Sequence, residues 1–313
     1  MRALVTGGAG FIGSHLCDAL LVEGHEVWCA DNLHLGRMEN VAHLSKAPDF
    51  HFEKLDVLDE RRLDDLFARC RFDRVYHLAA NSDIQAGSRD HGVDLSLNFM
   101  TTVRLLETMA NHRVSQIFFA STSAVFGETD DVLHEEYGPL RPVSFYGASK
   151  LAAEAYISVF VDNYGLRAWI LRFPNVVGER ATHGALFDFI NRLRADPSRL
   201  TVLGDGSQTK PYLYVSDLVA AIMVVVERAE EPLAVYHVGN EDATSVRDMA
   251  RIVLEEMGLP DVPIDYTGGS KGWVGDVPRF AYNFDRIKSL GFSLSYTSTE
   301  AVRLAARRLL GKE

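Results

Sequence analysis

Short apolar runs alternate along the first half of the chain with longer segments in which apolar residues recur every three or four positions. The short runs predict buried β-strands, and the longer segments predict helices that cover them. Strands are expected at 3–5, 26–30, 50–55, 74–78 and 116–120, and helices at 13–23 and 95–111. This alternation predicts an α/β fold with a doubly wound parallel sheet, in which ligands bind at the carboxyl ends of the strands.

The pattern changes after Pro174, where turn residues become more frequent. A helix at 149–164, a strand at 167–173 and a turn with a helix at 213–227 still fit the sheet. Loops are expected at Gly204-Asp205-Gly206 and at Gly268-Gly269. Thr297 and Glu300 have the spacing of a capping box before a terminal helix at 301–310. We therefore expect a smaller lobe that is interleaved with the first domain.

Composition narrows the classes of function. The 313 residues include 32 Lys and Arg against 43 Asp and Glu, a net charge of −11, and no long basic block, so nucleic acid is not an expected partner. Cys17, Cys29 and Cys70 are widely spaced, which predicts buried free thiols and neither a disulfide framework nor a metal site. Because there is no leader segment or long apolar run, we expect a cytoplasmic protein without a membrane partner.

A glycine-rich turn, residues 7–13 (GGAGFIG), joins the first predicted strand to the first helix. Glycine allows a tight turn and close approach of a ligand, and the free N–H groups at the start of the helix favour a diphosphate. A plain turn is the competing interpretation, which the strand and the helix on either side disfavour. The segment predicts a dinucleotide cradle made by Gly7, Gly10, Phe11, Ile12 and Gly13.

Asp31 ends the second predicted strand, 18 residues after Gly13. A carboxylate at this place can accept hydrogen bonds from an adenosine ribose and repels a 2′-phosphate, which favours NAD over NADP. His34 and Arg37 are close in sequence, so a site that tolerates NADP stays open. We expect further cofactor contacts near the ends of neighbouring strands, from Asn32, Asp56, Val57, Leu78, Ala79 and Ala80.

Tyr146 and Lys150 are four residues apart and share one face of a predicted helix. A tyrosine titrates near pH 10, and a neighbouring ammonium together with a positive nicotinamide ring favours the phenolate, which is a base. Such a pair is by itself typical of a solvated surface. Hydroxyls at 121–123 end the strand about 25 residues earlier, and although a turn cap would also explain them, they can orient a substrate oxygen.

Four segments together resemble the extended short-chain dehydrogenases/reductases, and among them the NAD-dependent epimerases and dehydratases of nucleotide sugars. They are TGGAGFIG at 6–13, ASTSAVFG at 120–127, YGASK at 146–150 and RFPNVVG at 172–178. The resemblance covers nearly the whole chain. It implies a NAD-binding Rossmann domain over 1–173 and about 212–240, and a nucleotide-sugar-binding lobe over about 174–211 and 241–313.

The resemblance also implies roles for individual residues. Tyr146 would be the catalytic base, Lys150 its partner, which lowers the pKa of the phenol and binds ribose, and Thr122 the catalytic hydroxyl. Asn98 resembles a structural helix asparagine. Contacts to the nucleotide sugar are implied for Ser82, Ser123, Asn175, Val202, Gln208, Lys210 and Asp276.

Position 124 distinguishes the reactions of this family. Its 4,6-dehydratases usually carry a glutamate there as a second acid and base, whereas this chain has Ala124. The resemblance therefore implies an epimerase that inverts C4 of a nucleotide-diphosphate sugar, with a UDP-hexose as the expected substrate. NAD takes a hydride from C4, Tyr146 takes the hydroxyl proton, and the transient 4-keto sugar turns before the hydride returns.

Three residues depart from the family pattern. Lys210 and Trp273 stand where arginines are common, and Phe126 replaces a tyrosine. A lysine offers a point charge without the fork of a guanidinium, so the contact to the diphosphate is altered. The missing cation is left open among Lys271, Arg279 and Arg180.

Two alternatives remain beside the epimerase. A nucleotide-ketosugar reductase would exchange its cofactor at each turnover and consume NAD(P)H, whereas an epimerase should purify with NAD. A non-catalytic NAD-binding protein is disfavoured because Thr122, Tyr146 and Lys150 are all present. The resemblance further implies a homodimer that pairs through the helices at 95–111 and 149–164.

Overall fold

The computed structural model describes residues 1–269 and 281–312. Its strands are β1 (Arg2–Thr6), β2 (Glu26–Asp31), β3 (Phe50–Lys54), β4 (Arg74–His77), β5 (Gln116–Thr122), β6 (Val132–Leu133), β7 (Arg167–Phe173), β8 (Val176–Val177), β9 (Leu200–Val202), β10 (Thr209–Lys210), β11 (Leu213–Tyr214), β12 (Leu233–His237), β13 (Thr244–Ser245), β14 (Ile264–Tyr266) and β15 (Ala281–Tyr282).

The α-helices are α1 (Phe11–Val22), α2 (Glu60–Cys70), α3 (Ile84–Arg89), α4 (His91–Asp94), α5 (Thr101–Asn111), α6 (Phe145–Tyr164), α7 (Ala185–Ala195), α8 (Val215–Arg228), α9 (Val246–Met257), α10 (Asp285–Ser289) and α11 (Ser298–Leu309). A π-helical segment spans Leu95–Met100, and short 3₁₀ turns span Met38–Asn40, Ala42–Leu44 and Ser123–Val125.

Seven strands form one parallel sheet in the order β12-β7-β5-β4-β1-β2-β3. The chain builds one half outward from β1 through β2 and β3, and then returns to β4 on the other side of β1. Loops on the two sides of this reversal diverge and leave a crevice at the carboxyl ends of the strands, which is where ligands bind in open α/β sheets. The expected doubly wound Rossmann-like fold is confirmed.

Helices cover both faces of the sheet because the strands are apolar on both faces. Leu4 and Val5 are adjacent on β1 and fully buried, yet they belong to different hydrophobic clusters. Alternation along the strand sends Leu4 towards the face with Leu66 and Leu105, and Val5 towards the face with Ile222. The near-continuous apolar strands of the sequence are therefore explained by burial on both sides.

A third hydrophobic cluster lies in the later part of the chain. It combines α7, α9 and α11 with the short parallel pair β9 and β14. Its buried members include Phe189, Val202, Met249 and Val302. The capping box of the terminal helix is confirmed, since the Thr297 side chain accepts from the backbone of Glu300 and the Glu300 side chain accepts from the backbone of Thr297.

The predicted helix at 95–111 differs from the structure. Only Thr101–Asn111 is α-helical, and Leu95–Met100 takes the wider π-helical turn. Asn98 lies in that turn, where it accepts from the backbone N of Asn81 at 2.7 Å and donates to Ser149 Oγ at 3.1 Å. Such local widening is frequent at functional sites. The buried amide of Asn98 thereby joins the segment after β4 to α6.

No helix within the described ranges is both long enough and apolar enough to cross a membrane.

Candidate active site

A cleft of about 660 Å³ runs along the carboxyl edge of the sheet. Every residue predicted to hold the cofactor lies on its wall, and so do Thr122, Tyr146 and Lys150. Among the residues predicted for the substrate, five also line it: Ser82, Ser123, Asn175, Gln208 and Lys210. The structure thus brings together side chains from widely separated segments of the sequence.

The glycine turn closes one end of the cleft. Gly7 has a φ of +70°, and a Cβ there would lie 2.7 Å from the backbone N of Ala79. A Cβ on Gly13 would lie 2.2 Å from the carbonyl oxygen of Gly7. The turn is therefore packed so closely that glycine alone fits, and it leaves the start of α1 open to a diphosphate.

Asp31 stands beside this turn, at the end of β2, and is 6% exposed. Its Oδ2 accepts from the backbone N of Ala9 at 3.0 Å, and its Oδ1 accepts from the backbone N of Leu33 at 2.8 Å. Burial raises the pKa of Asp31, and these backbone hydrogen bonds act against the rise. Since a carboxylate has about four acceptor sites, it can still accept from a ribose. The glycine turn and Asp31 together fit an adenine dinucleotide without a 2′-phosphate.

Neighbouring strand ends extend the same wall. Asn32 Nδ2 donates to Asp56 Oδ2 at 3.1 Å, and Asp56 Oδ1 accepts from the backbone N of Leu58 at 2.9 Å. Val57, which follows Asp56, lines the cleft, and so do Leu78, Ala79 and Ala80 directly after β4. The side chains of the two alanines are small enough for a ligand to lie against the backbone.

Tyr146, Thr122 and Lys150 meet at the centre of the cleft. The Ser144 side chain accepts from the backbone N of Gly147, which starts α6 early and puts Tyr146 in its first turn. Thr122 ends β5, accepts from the backbone N of Ala124 at 3.1 Å and is hydrogen-bonded to the Tyr146 phenol. Lys150 Nζ donates to the carbonyl of Ala120 at 2.9 Å. The arrangement offers a phenol, a hydroxyl and an ammonium to one ligand.

The protein alone does not lower the pKa of the Tyr146 phenol. Burial raises the pKa of Tyr146 to about 12, and the hydrogen bond to Thr122 acts in the opposite direction. Burial also lowers the pKa of Lys150 to about 8. Sequence spacing shows the pair but not its burial, and the predicted phenolate, which also depends on the charge of a nicotinamide ring, stays a prediction. The neutral phenol is the form held at pH 7.

Val202 is not at the cleft. It is fully buried in the third hydrophobic cluster, and its neighbour Leu203 lines the cleft instead. Successive side chains of a strand point to opposite sides, so an assignment that is off by one residue reverses the side chain. Asp276 lies outside the described residues, as do Lys271, Trp273, Gly275 and Arg279.

Gln208 and Lys210 form part of the cleft next to the third cluster. Gln208 is 3% exposed, and neither its side-chain oxygen nor its nitrogen has a hydrogen-bond partner in the part of the chain that the structure describes. A buried amide without partners is costly unless a ligand satisfies it. Lys210 is buried beside it and supplies a positive charge. This corner suits a polar, anionic ligand group.

Several further residues line the cleft that the sequence pattern did not predict. His183 Nε2 and Ser82 Oγ are 3.0 Å apart, and Thr182, Asp188 and Arg192 also line the wall. These residues follow no motif and reach the cleft through the fold of the loop before α7 and of α7 itself. Arg180 was a candidate for the missing cation, but its Nη1 donates to Asp18 Oδ2 at 2.8 Å, away from the cleft wall described here.

Comparison with known proteins agrees with this geometry. The family model of the NAD dependent epimerase/dehydratase family matches residues 3–239. The chain belongs to this family. NAD is therefore its cofactor, which confirms the prediction made from the glycine turn and Asp31.

Individual relatives cover nearly the whole chain. It is 31% identical over 96% of its length to a putative UDP-glucose 4-epimerase of Methanocaldococcus jannaschii, of which 95% is covered. It is 34% identical over 84% of its length to a UDP-glucose 4-epimerase of Mycolicibacterium smegmatis, of which 85% is covered. A crystal structure of a Thermus thermophilus UDP-glucose 4-epimerase in complex with NAD superposes over all of both chains with a TM-score of 0.89 at 30% identity.

Proposed function

We propose that this protein is a NAD-dependent epimerase that inverts C4 of a nucleotide-diphosphate sugar, with a UDP-hexose as substrate, through a transient 4-keto sugar. The observation that carries the proposal is that Tyr146, Thr122 and Lys150 line the same cleft as the glycine turn and Asp31. A proton-transferring group and a dinucleotide site within one cleft are what oxidation of a secondary alcohol requires. The relatives named above act on UDP-glucose by their descriptions.

The cofactor would be held by residues at both ends of its site. The glycine turn and the start of α1 would bind its diphosphate, Asp31 its adenosine ribose, and Lys150 its second ribose. When bound, NAD supplies a hydride acceptor and a positive charge near the phenol. Asn32, Asp56, Val57, Leu78, Ala79 and Ala80 would enclose the rest of the molecule, which agrees with their place on the wall.

Tyr146 would move the proton of the reaction. Its phenolic oxygen would take the proton from the C4 hydroxyl of the sugar and return it after the sugar has turned. The Thr122 hydroxyl, already hydrogen-bonded to the phenol, would orient the same oxygen. Because the protein alone raises the pKa of Tyr146, the phenolate has to be favoured by cations close to it, which are the Lys150 ammonium and the ring charge of the cofactor.

The sugar nucleotide would occupy the remaining wall. We assign Ser82 and Ser123 to the sugar, Asn175 and Lys210 to the diphosphate region and Gln208 to the nucleotide, where its partnerless amide supports a ligand contact. We also retain the proposed division into a Rossmann domain at 1–173 and about 212–240 and a sugar-nucleotide lobe at about 174–211 and 241–313. The third hydrophobic cluster supports it.

Ala124 favours epimerisation over dehydration. It lines the cleft one residue after Ser123, and a methyl group cannot transfer a proton. Loss of water from the sugar would need a second acid and base near that place. Reversible oxidation at C4 is therefore the reaction that these side chains support.

The test is to incubate the purified protein, without added cofactor, with a panel of UDP-hexoses, their N-acetyl forms and UDP-uronic acids, and to resolve C4 epimers by NMR. We expect epimers from at least one UDP-hexose and NAD in the denatured supernatant. Consumption of added NAD(P)H with a reduced sugar as product would instead support the ketosugar reductase. Dinucleotide binding without any turnover would support a non-catalytic protein. Tyr146→Phe is the matched inactive control.

We further infer a homodimer that pairs through α5 and α6. Leu95, Tyr156 and Val159 are apolar and about half exposed on these helices and the π-helical segment before α5. The rings of Phe99 and Tyr156 pack edge to face across the two elements, with centroids 4.8 Å apart. Sedimentation as a monomer at micromolar concentration would contradict the inference.

We also propose a cytoplasmic location, which the three buried free cysteines support.

A further inference from the structure

Behind the centre of the cleft lies a buried ion pair, Glu154 and Arg172, that the proposed reaction does not use. Glu154 follows Lys150 by one turn of α6 and is 6% exposed. Arg172 Nε donates to Glu154 Oε1 at 3.0 Å, and Arg172 Nη2 donates to Oε2 at 2.6 Å. Ser121 Oγ also donates to Oε1. We call Ser121, Lys150, Glu154 and Arg172 the Glu154 cluster.

Glu154 joins three elements that carry the proposed catalytic residues or their neighbours. Ser121 directly precedes Thr122 on β5 and lies opposite Arg172 of β7 in the sheet. The carboxylate itself stands on α6, which also carries Tyr146 and Lys150. Three hydrogen bonds from Arg172 and one from Ser121 therefore fix α6 against the ends of β5 and β7.

Lys150 lies in a setting that is unfavourable for its charge. It is 3% exposed, and the Phe119 ring at 4.7 Å and the carbonyl of Ala120 at 2.9 Å compensate its Nζ only in part for the loss of water. Burial lowers the pKa of Lys150 to about 8, while the negative charges of Glu154 and then Asp94 act against the fall. The ammonium therefore depends on nearby carboxylates for its proton.

Among the other described groups near Lys150, Asp94 also carries a negative charge, whereas His77 and Tyr146 do not. His77 on β4 is kept neutral because burial lowers its pKa to about 3, and the neutral Tyr146 phenol lies one turn earlier on α6. Asp94 reaches Lys150 from α4, and its Oδ1 accepts from Asn81 and Asn98. Arg172 pairs with Glu154 and partly neutralises its negative charge, which weakens the attraction between Glu154 and Lys150.

We propose that Glu154 is a positioning residue for the reaction: its buried carboxylate, held by Arg172 and Ser121, places a negative charge one turn of α6 from Lys150 and holds that helix in register with Thr122. Arg172 sets how much of that negative charge Lys150 experiences. The inference rests on the proposed function for the roles of Lys150 and Thr122. Its electrostatic part can be measured without any sugar substrate.

The direct test is an NMR titration of the protein as purified, labelled with ¹³C at the ε-carbons of its lysines. The chain has seven lysines, and Lys150→Arg identifies the signal of Lys150. Glu154→Gln should move the midpoint of Lys150 to lower pH by about one unit, and Arg172→Gln should move it to higher pH. Opposite shifts are expected only if the two charges act on Lys150. Coincident midpoints in all three proteins would overturn the inference.

Kinetics supply the second readout. In Glu154→Gln we expect kcat to fall by about 10- to 100-fold, with KM for the sugar nucleotide within about threefold, and the alkaline limb of the pH profile to move to lower pH. Glu107→Gln, which changes an exposed glutamate on α5, should match the wild type. An unchanged kcat and pH profile in Glu154→Gln would contradict the positioning role.

Loss of Glu154 leaves the Arg172 cation buried without its partner, and that can prevent folding. The double variant Glu154→Gln/Arg172→Gln removes both charges, and its Lys150 midpoint should lie between that of the wild type and that of Glu154→Gln. A midpoint equal to that of the wild type would overturn the inference. Absence of epimerase activity in the wild type would overturn the proposed function alone, because the titration does not require turnover.

Discussion

Lys150 Nζ donates a hydrogen bond to the backbone carbonyl of Ala120 at 2.9 Å, so the buried ammonium is anchored to the end of β5. This bond joins the helix that carries Tyr146 to the strand that carries Thr122. It also keeps a positive charge in a place from which water is largely excluded. Burial of this charge at the centre of the cleft is unfavourable and lowers the pKa of Lys150.

The cost of burying Lys150 can be measured as a dependence of stability on pH. Its pKa falls from 10.5 to about 8 on folding. Between these values the unfolded chain binds more protons than the folded protein, so the free energy of unfolding rises with pH, by about 3 kcal/mol at most. Lys150→Met should lack this rise. Urea unfolding at pH 7.5 and 9.5 measures it, and parallel changes in both proteins would contradict it.

Thr122 gives a prediction about the hydroxyl. Its side chain bonds to the Tyr146 phenol and accepts from the backbone of Ala124. Thr122→Val keeps the shape and removes both bonds, so we expect kcat to fall by about 100-fold. Thr122→Ser keeps the hydroxyl and should stay within about fivefold. Equal rates for the valine and serine variants, measured with the same UDP-hexose, would exclude a role for the hydroxyl.

Asp31 gives a prediction about cofactor choice. Asp31→Asn removes the negative charge that would repel a 2′-phosphate and weakens the acceptor for ribose. We expect at least about tenfold weaker binding of NAD and a smaller preference for NAD over NADP, measured by calorimetry on protein freed of cofactor. The exposed Asp130→Asn is the control. An unchanged preference would show that Asp31 does not select the cofactor.

His183 and Ser82 give a prediction about the sugar. Their side chains are joined at 3.0 Å on the wall of the cleft. His183→Ala and Ser82→Ala should each raise KM for the sugar nucleotide by about three- to tenfold and leave the content of NAD unchanged. Since one hydrogen bond links the two residues, the double variant should be little worse than either single variant. Fully additive effects would indicate separate roles.

Local patterns predicted the sheet, the glycine turn and the capping box because each depends on neighbours in sequence. Asn98 in the π-helical turn has its partners in the segment after β4 and in α6, which periodicity does not contain. The spacing of Tyr146 and Lys150 predicted a shared helix face but not the burial that raises the pKa of the phenol in the protein alone. His183 was missed because its place on the wall is decided by the fold of the loop before α7.

In the proposed reaction, hydrogen leaves C4 of the sugar and returns to the same carbon. The most direct measurement uses a UDP-hexose with deuterium at C4, the purified protein without added cofactor, and NMR of the product. We predict the inverted sugar with deuterium retained at C4, and no epimer with Tyr146→Phe. An inverted product that carries a solvent proton at C4 would contradict the account.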